Sequence, residues 1–407
     1  MTEIRTIPEK ILASGIKDTS VDAVGKFSKA VIHHNAGAPT AADDTGLGYA
    51  VGSIWVDTTN GDMYVAASVT AEDANWKNME GDEVNPPFTI QGSGYGYSAG
   101  NMLDPGSPSF PGNINRYAMV SSGNGTDVGE LASAVRDIQS GSIRDDSYGF
   151  AVGGINPPSK SQDFIQRFTL ASPTTVVDIG EMVKKPHYSS GSTNGSYGFV
   201  YGGRDSNPPE ANVDTIEKFA LAAPPVTATD SGMEITQSIE RGAGLSDTAN
   251  AYGYLLGGVP IDPSGNWPPS GGTLDTIEKF SFTGSGATSD HSEMSTDVIK
   301  PVGTSSITHG FRAGGVQRPP YTDTTINEKF AFAAPTTIDD VGDLTQARSG
   351  IQGASGNTHG YHAGGADWGP SFGYNVIDRF STSADANSTD VGELSEIGAS
   401  GSGFESD

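Results

Sequence analysis

Cysteine is absent from this 407-residue chain, which removes disulfides, thiolate metal sites and cysteine nucleophiles from consideration. Basic residues are scarce. Against 49 Asp and Glu stand only 23 Lys and Arg, and the net charge of −26 repels nucleic acid and anionic membranes, so no nucleic-acid partner is expected. Long apolar runs are missing too: none approaches the roughly 18 residues that span a bilayer, and residues 1–5 are not followed by the apolar core of a signal peptide. Membrane insertion is not expected, and nothing marks secretion.

What the chain does have is glycine and proline, 55 and 24 residues, a balance that favours short strands joined by tight turns over long helices. These residues recur in register. An aromatic-or-His, Gly, aromatic triplet appears as Tyr148-Gly149-Phe150, Tyr197-Gly198-Phe199, Tyr252-Gly253-Tyr254, His309-Gly310-Phe311 and His359-Gly360-Tyr361. Each is followed by a Gly-Gly pair, at 153–154, 202–203, 257–258, 314–315 and 364–365, and Tyr95-Gly96-Tyr97 opens a degenerate sixth copy. The central glycines are 53, 49, 55, 57 and 50 residues apart, the period of a repeat built from one four-stranded unit.

Other segments keep the same step. Ile165-Gln166-Arg167-Phe168, Ile216-Glu217-Lys218-Phe219, Ile277-Glu278-Lys279-Phe280, Asn327-Glu328-Lys329-Phe330 and Ile377-Asp378-Arg379-Phe380 read as one strand, and Asn115-Arg116-Tyr117 matches them. Alternation places Phe219 and Leu221 on one face and Ile216 with the Lys218 stem on the other, so both faces are packed. About ten residues later comes Asp127-Val128-Gly129-Glu130-Leu131, echoed from Asp178, Asp340 and Asp390; copies three and four keep Asp230 with Met233 and Asp290 with Met294. A fourth stretch, such as residues 347–353, completes a four-stranded meander. The Gly-Gly pairs fit strand exits at positive φ and close backbone approach near a central channel. Residues 396–403 resemble the opening strand of a repeat, so the C-terminus is expected to close the first one. The fold class is all-β: a six-bladed β-propeller over residues 87–407, behind a small, mostly-β N-terminal domain of residues 1–86.

In that N-terminal domain, residues 53–57 and 62–66 flank Thr58-Thr59-Asn60-Gly61, and Asn-Gly between alternating apolar residues is the strongest short hairpin signal. A third strand is expected at Trp76. Residues 7–31 carry apolar positions without one clean period.

At these residues the chain resembles kelch-type propellers and, more narrowly, the propeller repeats of virion proteins from tailed phages, marine ones especially. The resemblance covers roughly residues 90–407, and the hairpin from Trp55 to Val65 looks like pieces of phage fibre and baseplate proteins. The Trp of the cellular kelch pattern is replaced by Asp-Val-Gly-Glu-Leu. What the resemblance implies is a structural virion protein of a tail, neck or capsid. Residues 1–86 would attach to other virion proteins, and the propeller would display a binding face for a host surface glycan or protein. Virion localisation and a homo-oligomer on the particle follow. The alternative is a non-viral kelch-like scaffold or carbohydrate-binding protein, working as a soluble monomer.

The best site candidates lie on the long loops after each Gly-Gly pair, stiffened by Pro157-Pro158, Pro208-Pro209, Pro268-Pro269, Pro319-Pro320 and Pro370. By repeat symmetry these loops share one face, which gathers Phe110, Trp267, Tyr321, Trp368 and Phe372, and aromatics on stiff loops suit sugar stacking or protein docking. No catalytic residue, cofactor or metal is expected. The kelch-class copper oxidase needs a Tyr joined to Cys, and sialidase-type propellers carry Ser-x-Asp-x-Gly-x-Thr-Trp turns and an arginine triad. His33-His34 are adjacent on a strand and point apart, so they do not share a metal. Asp57-Thr58-Thr59-Asn60-Gly61-Asp62 reads as a hairpin turn rather than a calcium loop. His309 and His359 occupy the aromatic repeat position as packing substitutes, and residues 184–187 form an isolated basic patch.

Overall fold

The structure is a computed structural model that describes residues 32–59, 61–71, 73–78, 88–100, 112–133, 135–156, 160–172, 174–205, 211–222, 224–261, 272–318, 321–333, 338–367 and 373–406. Among these, regular structure is almost wholly strand, so the chain is all-β. It divides into two compact units, Met1–Pro87 and Phe88–Asp407.

In the first unit a four-stranded sheet runs β1 (Ile32–Asn35), β2 (Ile54–Asp57), β3 (Met63–Thr70), β4 (Asp73–Asn78). The expected hairpin is present, with Trp55 opposite Tyr64 and Val56 opposite Met63, and the strand at Trp76 is β4. Alternation buries Trp55, Tyr64 and Trp76 with Tyr49 as an aromatic core. The Asp57 carboxylate is buried and accepts the Gly37 and Thr59 N–H groups at 2.9 and 2.7 Å, fixing the turn. On β1, the His33 ring lies tilted, 4.7 Å from that of Trp55, while His34 is exposed.

Among its described residues the second unit holds six sheets built on antiparallel meanders, with three smaller two- and three-stranded sheets beside them. Repeat 5 is representative: Val302–Ser305, His309–Ala313, Ile326–Ala331 and Asp339–Asp343 pair in sequence order. Repeat 1 takes its first strand from the far end of the chain, Ser402–Ser406, which pairs antiparallel with Tyr95–Ala99. The closing strand therefore starts six residues after Glu396, and residues 396–400 are its lead-in; hydrophobic pattern alone did not fix that register.

Physical reasons for the repeat follow from what each residue touches. Every triplet glycine lies opposite the ring of the Phe strand, as Gly198 does opposite Phe219 and Gly360 opposite Phe380, so the ring covers the space a Cβ would fill. Phe219 and Leu221 belong to the core shared with Phe150 and Ile165, whereas Ile216 belongs to the next. In the Asp-Val-Gly motif the Asp side chain accepts the Gly N–H, at 3.0 Å for Asp127 and Asp390, and builds a bulge into the outer strand that blunts its edge.

The polar residue before Lys or Arg in the Phe strand clasps the preceding repeat. Glu217 accepts the Val183 and Lys184 N–H groups at 2.8 and 2.9 Å, Asp378 that of Thr345 at 2.9 Å, and Gln166 that of Ser133 at 2.9 Å. The series closes on itself, because Asn115 of repeat 1 accepts the Ser395 N–H of repeat 6 at 3.1 Å. Innermost, glycines 141, 244, 303, 353 and 403 face a neighbouring repeat's backbone and Gly191 faces the Gln139 and Ile143 side chains: a Cβ at Gly244 would overlap the Gly191 carbonyl, and one at Gly403 that of Gly353. Ser402 Oγ donates to the Gly141 carbonyl at 3.1 Å and completes this inner ring.

Candidate functional site

Just before each inner strand, one residue per repeat adopts the left-handed conformation: Asp137, Tyr188, Arg241, Lys300, Gly350 and Ser400, with φ between 53° and 62°. Their backbones form a closed cycle. Asp137 N–H donates to the Ser400 carbonyl, Tyr188 to Asp137 and Arg241 to Tyr188, each at 2.9 Å; Lys300 donates to Arg241 at 2.7 Å, Gly350 to Lys300 at 3.1 Å and Ser400 to Gly350 at 2.8 Å. A side chain in this conformation costs about 1 kcal/mol, which glycine avoids. Only repeat 6 uses glycine there, at Gly350. The other five retain side chains, and these differ from repeat to repeat, so the backbone geometry does not explain them.

Those side chains form one cluster around a small cavity of about 30 Å³, bordered by Ile138, Ser189, Pro301 and Ile351. Asp137 is buried, with Arg136 Nη1 at 3.0 Å and Lys300 Nζ at 3.7 Å. Lys300 donates to Ser400 Oγ at 3.1 Å and stands 4.8 Å from the Tyr188 ring, over which Arg241 lies at 4.2 Å. Arg241 Nε also faces Glu240 at 3.4 Å. Burial pushes the Lys300 amine down to about 8, with Arg241 and Arg136 adding to the effect and Asp137 opposing it. Burial also raises the Glu240 carboxyl and lowers the His187 imidazole to about 4, which leaves that ring neutral at pH 7. His187 is buried against Ser161 Oγ at 2.9 Å, whereas Lys185 pairs with Asp163 at 2.7 Å at the surface, its side chain 44% exposed.

Both the start of the inner strand and the end of its antiparallel neighbour lie at this end of each meander. The Gly-Gly loops therefore leave the strands around the cluster, and bridges such as His187 to Arg204 and Ser349 to Ala366 tie the two together. Both glycines of every pair have positive φ, and the first lies against a carbonyl of the next lead-in segment, as Gly314 does against Arg348. Of the five aromatic candidates, Tyr321 is exposed on such a loop with the Arg318 guanidinium 4.8 Å from its ring. Phe110, Trp267, Trp368 and Phe372 lie outside the described residues. His309 and His359 each hold a Thr hydroxyl on Nδ1, from Thr308 at 2.8 Å and Thr358 at 2.9 Å. Among the described residues no group of three His, Cys, Asp or Glu side chains could hold a metal ion.

The opposite end of the ring is occupied by residues 88–92. Arg144 Nη2 donates to the Thr89 carbonyl at 2.9 Å, Ile90 N–H donates to Thr248 Oγ1 at 3.3 Å, Gln91 Nε2 to Ser305 Oγ at 3.1 Å, and Gly92 N–H to the Ser355 carbonyl at 2.8 Å. Arg144 is itself buried against Glu405 of the closing strand at 3.2 Å. Among the described residues the cluster therefore lies at the end of the inner strands away from this segment.

Sequence reasoning missed this cluster, because its members share no residue type. The available signal was positional: they lie three residues before the inner glycine in five repeats and four before it in the second. No protein-family model matches the chain, and no curated protein matches it.

Proposed function

We propose that residues 88–407 form a six-bladed kelch-type β-propeller that recognises a ligand without transforming it, and that the chain is a structural virion protein of a tailed phage. The observation that carries the propeller is the closed cycle of six backbone hydrogen bonds from Asp137 through Ser400. The Ser402–Ser406 strand, borrowed by repeat 1, and the Ser395 to Asn115 clasp support the same closure. In this reading the recognition face is the one where the loops surround the left-handed ring, and the first unit is the attachment domain. The virion assignment rests on the resemblance of the repeat wording, such as Thr215-Ile216-Glu217-Lys218-Phe219 and Thr389-Asp390-Val391-Gly392-Glu393-Leu394, and of the Trp55 hairpin, to phage virion proteins.

Immunogold labelling of particles purified from the source culture, with antibody to residues 88–407, tests it. Gold at a defined site on virions is the expected result. Label confined to cells or medium overturns the virion assignment in favour of a free scaffold or carbohydrate-binding protein.

A further inference from the structure

We propose that the groove where repeat 6 meets repeat 1 is a docking site for an acidic side chain of a partner polypeptide. It lies where residues 92 and 93 join the ring, away from the recognition face proposed above, and depends on neither that face nor the virion assignment. A cavity of about 290 Å³ opens there, close to the small end of ligand sites at about 300 Å³. Repeat 6 contributes His359, Tyr361 and Arg379 to its lining, and repeat 1 contributes Met119 and Val120, the latter 79% exposed. The Tyr361 hydroxyl donates to the Met119 carbonyl and ties the two repeats together.

A carboxylate is called for by the cation of the Phe strand, compared across the repeats. Arg116, Arg167, Lys218 and Lys279 lie over the rings of Tyr95, Tyr148, Tyr197 and Tyr252, at 4.2, 4.1, 5.7 and 4.0 Å. In repeat 5 the tyrosine is replaced by His309, and Lys329 pairs instead with Asp385, on a loop of the next repeat, at 2.6 Å. Repeat 6 also has a histidine, His359, and for it the next repeat is repeat 1. The two loops run alike: Ser388 N–H donates to the Asp343 carbonyl of repeat 5, and Gly125 N–H to the Glu393 carbonyl of repeat 6, both at 2.7 Å. Asp385 lies five residues beyond Phe380, and five beyond its counterpart Tyr117 stands Ser122. Arg379 accordingly makes no ion pair among the described residues. Its surroundings agree, since burial lowers the His359 imidazole and Arg379 adds to this with no carboxylate opposing, whereas Asp339 and Asp385 oppose the same shift at His309. A guanidinium takes a carboxylate through two parallel hydrogen bonds, and Val120 offers contact to an apolar residue beside it. A polypeptide is favoured over a free acid because the copy that is answered, Lys329, receives its carboxylate from a loop.

Saturation-transfer NMR titration of the full chain with the peptide acetyl-Ala-Leu-Asp-Leu-Ala-amide, its Asp→Asn analogue and sodium acetate tests this. The Asp peptide is expected to bind at least fivefold more tightly than the other two. Arg379→Gln should weaken it at least fivefold. So should Ser122→Asp, which supplies the missing carboxylate from within the chain as Asp385 does for Lys329. Thermal melting shows that the variants fold, and if Arg379→Gln does not, Ser122→Asp carries the test. No binding of the Asp peptide at millimolar concentration, equal affinity for the Asn analogue or acetate, or unchanged affinity in either folded variant overturns the proposal. A dimer in sedimentation that Arg379→Gln dissolves makes a second copy the occupant and overturns the partner. Tighter peptide binding in Asp407→Asn shows that Asp407 already holds Arg379, which overturns it too.

Discussion

Two rings of six residues lie within four positions of each other along the chain, and they have opposite characters. The inner ring is glycine in every repeat, because a Cβ there would overlap a neighbouring repeat's backbone or, at Gly191, the Gln139 and Ile143 side chains. The left-handed ring beside it holds Asp, Tyr, Arg, Lys, Gly and Ser, although its backbone conformation would favour glycine at all six. In a fold made by repetition, sameness marks what the backbone requires. Difference at equivalent positions, kept against a conformational penalty, marks what the individual side chains are for.

The comparison breaks if the inner ring tolerates a side chain. Gly244→Ala places a Cβ onto the Gly191 carbonyl, and neither backbone can retreat without shifting its neighbours, so a loss of about 3 kcal/mol is expected in urea unfolding. A loss below about 1 kcal/mol would show that the ring is loosely packed. A second test uses pH at the left-handed ring. The Lys300 amine stands near 8 in the folded chain against 10.5 in the unfolded one, so stability is withheld as pH falls from 10.5 through 8 and the penalty is complete below that. Relative to the native chain, Lys300→Met should gain up to about 3 kcal/mol more at pH 7 than above pH 10.5, read from urea curves at both. The smallest effect is expected of Ser400→Gly. Relief of the left-handed penalty offsets the added chain entropy and one lost hydrogen bond, and the change should stay within about 0.5 kcal/mol.

Much of the architecture is readable from the sequence because glycine and aromatic residues recur where the backbone and the packed rings demand them. The triplets, the Phe strand, the Trp55 hairpin and the borrowed C-terminal strand all come from such constraints. The register of that last strand does not, since Ser402–Ser406 and its lead-in share small residues that fit either alignment. Nor does the clasp: Asn115, Gln166, Glu217 and Asp378 look like the polar side of a half-exposed strand, and only their burial against the previous repeat's N–H groups shows their role. The candidate site is the least legible part. Lys300 and Asp137 are 163 positions apart and share no motif, and it is the closing of the ring that brings them to 3.7 Å.

Residues 88–92 lie across the ends of several inner strands at once. Hydrogen bonds join this short segment to Arg144, which donates, and to Thr248, Ser305 and Ser355, which accept, members of repeats 2, 4, 5 and 6, and the Ser93 and Gly94 N–H groups hold the Ser406 carbonyl of the closing strand at 3.0 and 2.8 Å. A pull on the chain at residue 88 is consequently divided among several sheets at once, loading them in shear about the hub instead of peeling one strand from an edge. A module anchored at its hub in this way can bear tension on its tether while its opposite face stays undistorted.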